Sequence, residues 1–283
     1  MLDSAGVQAA FPELTNVVQI PGGAQKAVFS AMHQTDGEVV IKVFQPGTDA
    51  ETVSREILAV QNINSARIPR IFETGTVPTP AGDCAWVREQ RISGESLHSR
   101  LQRAGPLSKD EVLKLAHQLA ATLRDAEAAK IVHRDIKPEN IMVDSTGDFW
   151  LVDFGIARHL TMRSLTADAR IFGKFTPGYA PPEQARNVKG QIDSRADMFA
   201  FALTLIEAAT GVHPFWDGAK DAMEALTRSE TQPIPRQLLP VKSAESLADL
   251  LDTMTKKRRD QRCRNMQEVL DWIEDIVTEE QKP

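Results

Sequence analysis

The sequence predicts an α+β chain in two lobes, β-rich through about Gln90 and mainly helical after it. Three observations lead there. Between Asn16 and Phe44, NVVQIPGGAQKAVFSAMHQTDGEVVIKVF carries three β-rich runs, separated by turns at Pro21-Gly22-Gly23 and Asp36-Gly37. From Ser108 the apolar residues recur at helical spacing instead, as Val112, Leu115, Leu119 and Leu123. Between those regions of different period and the C-terminal helices lies His133–Gly155, HRDIKPENIMVDSTGDFWLVDFG, where two short β-type runs flank a Ser-Thr-Gly-Asp turn.

Taken in order, residues 1–16 show no clear period and read as an N-terminal arm. Residues 49–64 carry a helical pattern with Ile57, Val60 and Ile63 on one side. IPRIFETG and DCAWVREQRI then supply further strands, and GESLHSRL opens the helical part. Ser108 with Glu111 three residues later is a capping box, so a long core helix runs up to His133. Asp193–Gly211 is nearly all apolar and ends at a C-cap glycine, which marks a buried helix. Asp197 inside it needs partners. Residues 212–243 read as loops with a short helix near 218–227, and two closing helices follow. The run Lys256–Arg259 is a solvated helix end rather than a nucleic-acid patch.

Composition bounds the chemistry. The chain has 283 residues, 42% hydrophobic and 25% charged, which suits one large domain or two lobes. A net charge of -6 disfavours nucleic-acid binding through the surface as a whole. Cys84 and Cys263 have no metal-ligand spacing, so neither a disulfide framework nor a zinc site is expected. No run approaches the length of a membrane span and the N-terminus lacks the pattern of a signal peptide. The cytoplasm is the expected location.

The chemistry concentrates in His133–Gly155. Asp135 lies five residues before Asn140 and eighteen before Asp153. Folding the β-type runs back on each other brings both carboxylates and the amide together, with Lys137 beside them. Hard oxygens and a cation suit Mg²⁺ bound to phosphates. His133-Arg134-Asp135, Lys137 and Asn140 resemble the catalytic loop of protein kinases, and Asp153-Phe154-Gly155 resembles their metal-binding motif. Asp-x-Lys-x-x-Asn is similar to the serine/threonine branch, and GESL and PGYAPPEQ look most like its bacterial, Hanks-type members.

The resemblance implies a two-lobed protein-kinase fold, with lobes at 1–90 and 91–283 and ATP with Mg²⁺ (or Mn²⁺) in the cleft. It implies transfer of the γ-phosphate to Ser or Thr hydroxyls of protein substrates. Asp135 would orient the attacking hydroxyl, Lys137 would steady the γ-phosphate, and Asn140 and Asp153 would hold the metal. A lysine among apolar strand neighbours needs a partner; Lys42 in VVIKVF would take Glu56, or less favourably Glu51, and meet the phosphates. Aligning Val28 with the family's glycine-loop valine puts Pro21, Gly23 and Lys26 at its three glycine positions, so Gly22 and Gly23 form an atypical phosphate loop. Arg88 or Glu89 falls at the position guarding the adenine pocket, where a charge is unusual. Arg134, next to the catalytic aspartate, implies switching by a phosphate on Thr161, Ser164 or Thr166. Thr176 would contact the catalytic loop, Asp197 would brace it, and Glu183 would pair with Arg262. The resemblance implies a signalling phosphoprotein and leaves room for a homodimer. Two competing readings remain: a pseudokinase acting as a binding module, and a kinase of a small molecule.

Overall fold

The structure, a computed structural model, describes residues 2–22, 26–46, 50–154, 175–186, 192–239 and 245–280. These form two compact units, one of residues 2–62 and 69–93, the other of 63–68 and 94–280.

The first unit begins with α1 (Ser4–Ala10), capped where the Asp3 side chain accepts from the Gly6 N–H. Strands β1 (Leu14–Ile20), β2 (Lys26–His33) and β3 (Gly37–Phe44) follow, then α2 (Ala50–Gln61), β4 (Ile71–Thr79) and β5 (Gly82–Gln90). The sheet is antiparallel in the order β1-β2-β3-β5-β4. Strand alternation sorts the side chains between its faces. Ala27, Phe29, Ala31, Val39, Ile41, Val43 and Trp86 fill one face, which Val7 of α1 and Phe11 cover. On the other face, Phe44, Ala85 and Val87 pack against Val53 and Ile57 of α2. The expected N-terminal arm thus contains a helix. At seven residues it is too short to show a period.

The second unit holds a small sheet, β6 (Gly94–Ser96), β7 (Ile141–Asp144) and β8 (Phe149–Leu151), in that order. Its helices are α3 (Leu97–Ala104), α4 (Lys109–Ala128), the four-residue α5 (Pro182–Ala185), α6 (Ser194–Thr210), α7 (Ala222–Thr231), α8 (Glu245–Met254) and α9 (Met266–Glu280). The capping box is complete: Ser108 Oγ accepts from the Glu111 N–H and Glu111 Oε2 accepts from the Ser108 N–H. Helix α6 runs between the Asp193 cap and Gly211, whose φ of +74° closes it in the left-handed region. Phe199 and Phe201 are completely buried on it, each contributing about 1.5–3 kcal/mol of burial. The helix expected near 218–227 starts later, at Ala222, because Asp221 is its cap and accepts from the Glu224 N–H. No helix among the described residues is long and apolar enough to cross a membrane.

Candidate active site

The second unit positions its reactive side chains through three anchors. The first is β7–β8, with Ile141 opposite Leu151 and Val143 opposite Phe149, continued by a Val152 N–H to Asn140 C=O bond of 2.9 Å. That ladder fixes Asp153, two residues past the strand, alongside the stretch that holds Asn140. The edge strand β6 approaches so closely that a Cβ on Gly94 would meet the Val143 carbonyl oxygen at 2.0 Å, so only glycine fits. The second anchor is His133, fully buried. Its Nδ1 accepts from the Asp135 N–H at 3.2 Å, which leaves Nε2 to carry the proton and donate to the Val152 C=O at 3.0 Å. One imidazole therefore ties the Asp135 loop to the strand leading to Asp153. Buried and bonded at both ring nitrogens to backbone groups, it serves as a packing anchor.

The third anchor is Asp197, buried on α6. Its two oxygens accept from the backbone N–H groups of His133 and Arg134, each at 2.7 Å. Two successive N–H groups converge on one carboxylate because Arg134 has a φ of +65°. Burial pushes this carboxyl up to about 7, against the opposing hydrogen bonds from Arg134 and His133. Gln184 completes the hold by donating to the Arg134 C=O at 2.8 Å. Gln184 is not among the residues singled out from the sequence. Its one signal is its place directly after Glu183, on a turn that the Glu183–Arg262 pair locks in place.

On this frame the polar groups converge. Asn140 Nδ2 donates to the Asp135 backbone C=O at 2.7 Å and to its carboxylate Oδ2 at 3.0 Å. Thr176 Oγ1 donates to Asp135 Oδ1 at 2.7 Å. Lys137 Nζ donates to Thr176 Oγ1 at 2.9 Å and lies 3.2 Å from Asp135 Oδ2. Asp135 thus has both oxygens oriented by neighbours and a cation beside it. Asn140 donates through its nitrogen, which leaves its oxygen the role of acceptor or ligand. Asp153 is half-buried and held at a φ of +61°. The amide oxygen and carboxylate are hard donors. They fit a small divalent cation that draws its remaining ligands from water and phosphate.

Thr176 is itself braced. Trp216 Nε1 donates to the Pro177 C=O at 2.7 Å, and a Cβ on Gly178 would fall 2.6 Å from the same indole nitrogen. The next residue, Tyr179, donates to Glu207 on α6 and meets the His213 ring edge-on. His213 and Trp216 were not singled out from the sequence. Their signal, the aromatic cluster His213-Pro214-Phe215-Trp216, sits in a stretch read as loop.

The first unit carries Lys42 on β3, opposite Val87 of β5. Val40, two residues back on the same face, lies opposite Glu89, and the Lys42 ammonium pairs with the Glu89 carboxylate. Arg88 faces the other way, where Glu73 and Asp36 approach at 2.9 and 3.1 Å. Of the two charged residues at the end of β5, Glu89 is the one on the face of Lys42. Glu56 is half-buried on α2, whereas Glu51 is exposed and pairs with Arg55. Gly22 lies close to Val28: a Cβ there would meet Val28 Cγ2 at 2.9 Å. Gly23, Gly155, Thr161, Ser164 and Thr166 lie outside the described residues.

A family model of the protein kinase domain matches residues 14–272. The chain is 32% identical over 232 residues to the serine/threonine-protein kinase pkn3 of Myxococcus xanthus, covering 77% of this chain and 41% of that protein. It is 30% identical over 205 residues to the serine/threonine-protein kinase PknB of Mycobacterium tuberculosis, covering 72% and 31% of the two. It is 31% identical over 219 residues to the serine/threonine-protein kinase PrkC of Bacillus subtilis, covering 75% and 32%. The matched part is thus between about a third and two-fifths of each relative's length.

Proposed function

The chain belongs to the protein kinase domain family, and from that premise we propose that it transfers the γ-phosphate of ATP to serine or threonine hydroxyls of protein substrates. The observation that carries this reading is the Asp135 carboxylate, oriented by Thr176 and Asn140 with Lys137 beside it.

In the proposed reaction the substrate hydroxyl oxygen bonds to the γ-phosphorus as the bond to the β–γ bridging oxygen breaks, and ADP leaves. Asp135 orients the hydroxyl and takes up its proton, a contribution of roughly 10²–10⁴-fold. Lys137, within reach of the same carboxylate, meets the negative charge of the transferring group. Asn140 and Asp153 would hold a divalent cation, Mg²⁺ in preference to Mn²⁺, which neutralises polyphosphate charge when bound. Lys42, Glu56, Gly22, Gly23 and Val28 are assigned to the nucleotide, within a lobe at residues 1–90. The lobe at 91–283 takes the catalytic loop and activation segment. Arg134 is assigned to a phosphate on Thr161, Ser164 or Thr166. Thr176, by bridging Lys137 and Asp135, is a positioning residue. The relatives' names support the serine/threonine assignment; neither a pseudokinase nor a small-molecule kinase has a specific observation in its favour. We place the activity in the cytoplasm.

The test is incorporation of labelled γ-phosphate, into the chain and into generic protein substrates, with Mg²⁺ and separately Mn²⁺. Label on serine or threonine that falls by two orders of magnitude or more in a folded Asp135→Asn variant is the expected result. Equal incorporation by the variant overturns the assignment of Asp135.

A further inference from the structure

One ion pair of the first unit has no part in the roles above. On β3 and β5, Lys42 and Glu89 occupy diagonal positions of one sheet face, and their charged ends pair. Their side chains are only 9% and 13% exposed. They share that face with Val87, which packs in the apolar cluster of Phe44, Val53, Ile57 and Ala85. The neighbouring cation on the same strand, Arg88, is engaged on the opposite face by Glu73, Asp36 and Glu13. The charge of Glu89 is therefore directed at Lys42.

A buried ammonium needs an anion, since its own desolvation is costly. Glu89 supplies one from within the fold before any nucleotide arrives. A nucleotide triphosphate brings several more negative charges to the same ammonium. Lys42 must then divide its donors, and the Glu89 carboxylate becomes a like charge beside the polyphosphate, a juxtaposition that lowers affinity. We propose that Glu89 is a built-in counter-ion to Lys42, a positioning residue that competes with the nucleotide's phosphates and sets the affinity for ATP. The inference rests on the assignment of Lys42 to the phosphates, and it differs from that assignment in giving the guard position on β5 an electrostatic task. It predicts a penalty that grows with the number of phosphates. A role confined to packing or pocket shape would act on nucleoside and nucleotide alike.

The experiment is equilibrium binding of ATP, ADP and adenosine, each with Mg²⁺, to the 283-residue chain and to Glu89→Gln. Glutamine keeps the shape and removes the charge; Glu89→Met serves in its place if the glutamine variant fails to fold. The expected result is ATP binding tightened by about tenfold, the scale of one charge-assisted hydrogen bond, with ADP tightened less and adenosine unchanged. Unchanged or weakened ATP binding in the folded variant overturns the proposal, as does equal tightening of all three ligands. Lys42→Met separates this proposal from the assignment beneath it. If Lys42→Met binds ATP as the parent does, Lys42 is not the phosphate lysine and both fall. If Lys42→Met loses its preference for ATP over adenosine while Glu89→Gln changes nothing, only the role of Glu89 falls.

Discussion

Arg262 in the second unit and Arg88 in the first are both nearly buried, yet they are satisfied in different ways. Arg262 donates to both oxygens of Glu183, at 2.7 and 3.1 Å, and to the carbonyls of Arg195 and Lys256. Its side chain is 0% exposed and that of Glu183 6%, and it lies over the Phe199 ring. The pair is closed. Arg88 is shared among Glu73, Asp36 and Glu13, of which Glu73 is 52% exposed. Its Nε is buried without a hydrogen-bond partner among the described residues. That cluster is open to water on one side. The same guanidinium is thus a lock in one unit and a loosely shared tie in the other, and the two should differ in what their loss costs.

The largest effect is expected at the lock. Glu183→Ala strands a buried arginine, which typically costs about 3–5 kcal/mol, and it loosens the turn from which Gln184 holds the Arg134 carbonyl. Thermal melting of the purified variant should drop by many degrees. A melting temperature within a degree or two of the parent would show that Arg262 is satisfied by the carbonyls alone. Arg88→Met should cost less, about 1–3 kcal/mol, because each stranded carboxylate can turn to water. If Arg88→Met proves as damaging as Glu183→Ala, the distinction between closed and open clusters is wrong.

The same pair of arginines shows what was legible in the sequence. Glu183–Arg262, Asp197 under the Asp135 loop and Thr176 against that loop were implied by the resemblance to protein kinases, and the hydrogen bonds are present. The two ends of the capping box at Ser108 and Glu111 were equally legible, being local. The face of Arg88 was not. A strand's side chains alternate, so a shift of one residue exchanges the faces, and β4 slips its register against β5 near Phe72. Sequence therefore left Arg88 and Glu89 as equal candidates for the guard position, and the ladder shows that Glu89 is the one on the face of Lys42. Helix α1 escaped because it is short, and His213 and Gln184 because their partners are backbone groups distant in the chain or hidden in a loop.

His213 offers a smaller and pH-dependent test of the frame around Thr176. Its Nδ1 accepts from the Phe215 and Trp216 N–H groups, and burial lowers the ring to about 3 from an ordinary 6.5. The folded value lies below the unfolded one, so from pH 6.5 down to about 3 the unfolded chain holds the extra proton. Stability should fall on acidification across that window, by at most about 1.4 kcal/mol per pH unit. His213→Asn keeps a side-chain acceptor but cannot titrate. Melting at pH 7 and pH 5.5 should separate by less in His213→Asn than in the parent; an equal separation would place the acid sensitivity elsewhere.

The smallest effect belongs to Glu51, the alternative partner once open for Lys42. Three carboxylates of the first unit bear on that lysine's assignment, and they differ in environment. Glu89 against Lys42 and Glu56 on α2 are both half-buried, but the Glu51 side chain is 83% exposed and meets Arg55 one helical turn on, at 3.0 Å. An exposed pair of that spacing is worth about 0.3–0.5 kcal/mol and is screened by salt. Glu51→Gln should therefore leave the phosphoryl-transfer rate and ATP affinity within about twofold of the parent, a shift no larger than such a pair can supply. Glu56→Gln should lower the rate by more, since a half-buried carboxylate feels its neighbours through less water. If the two substitutions act alike, burial does not decide which acid serves Lys42. The sheet and α2 would then have to place Glu51 against Lys42 in the nucleotide-bound chain.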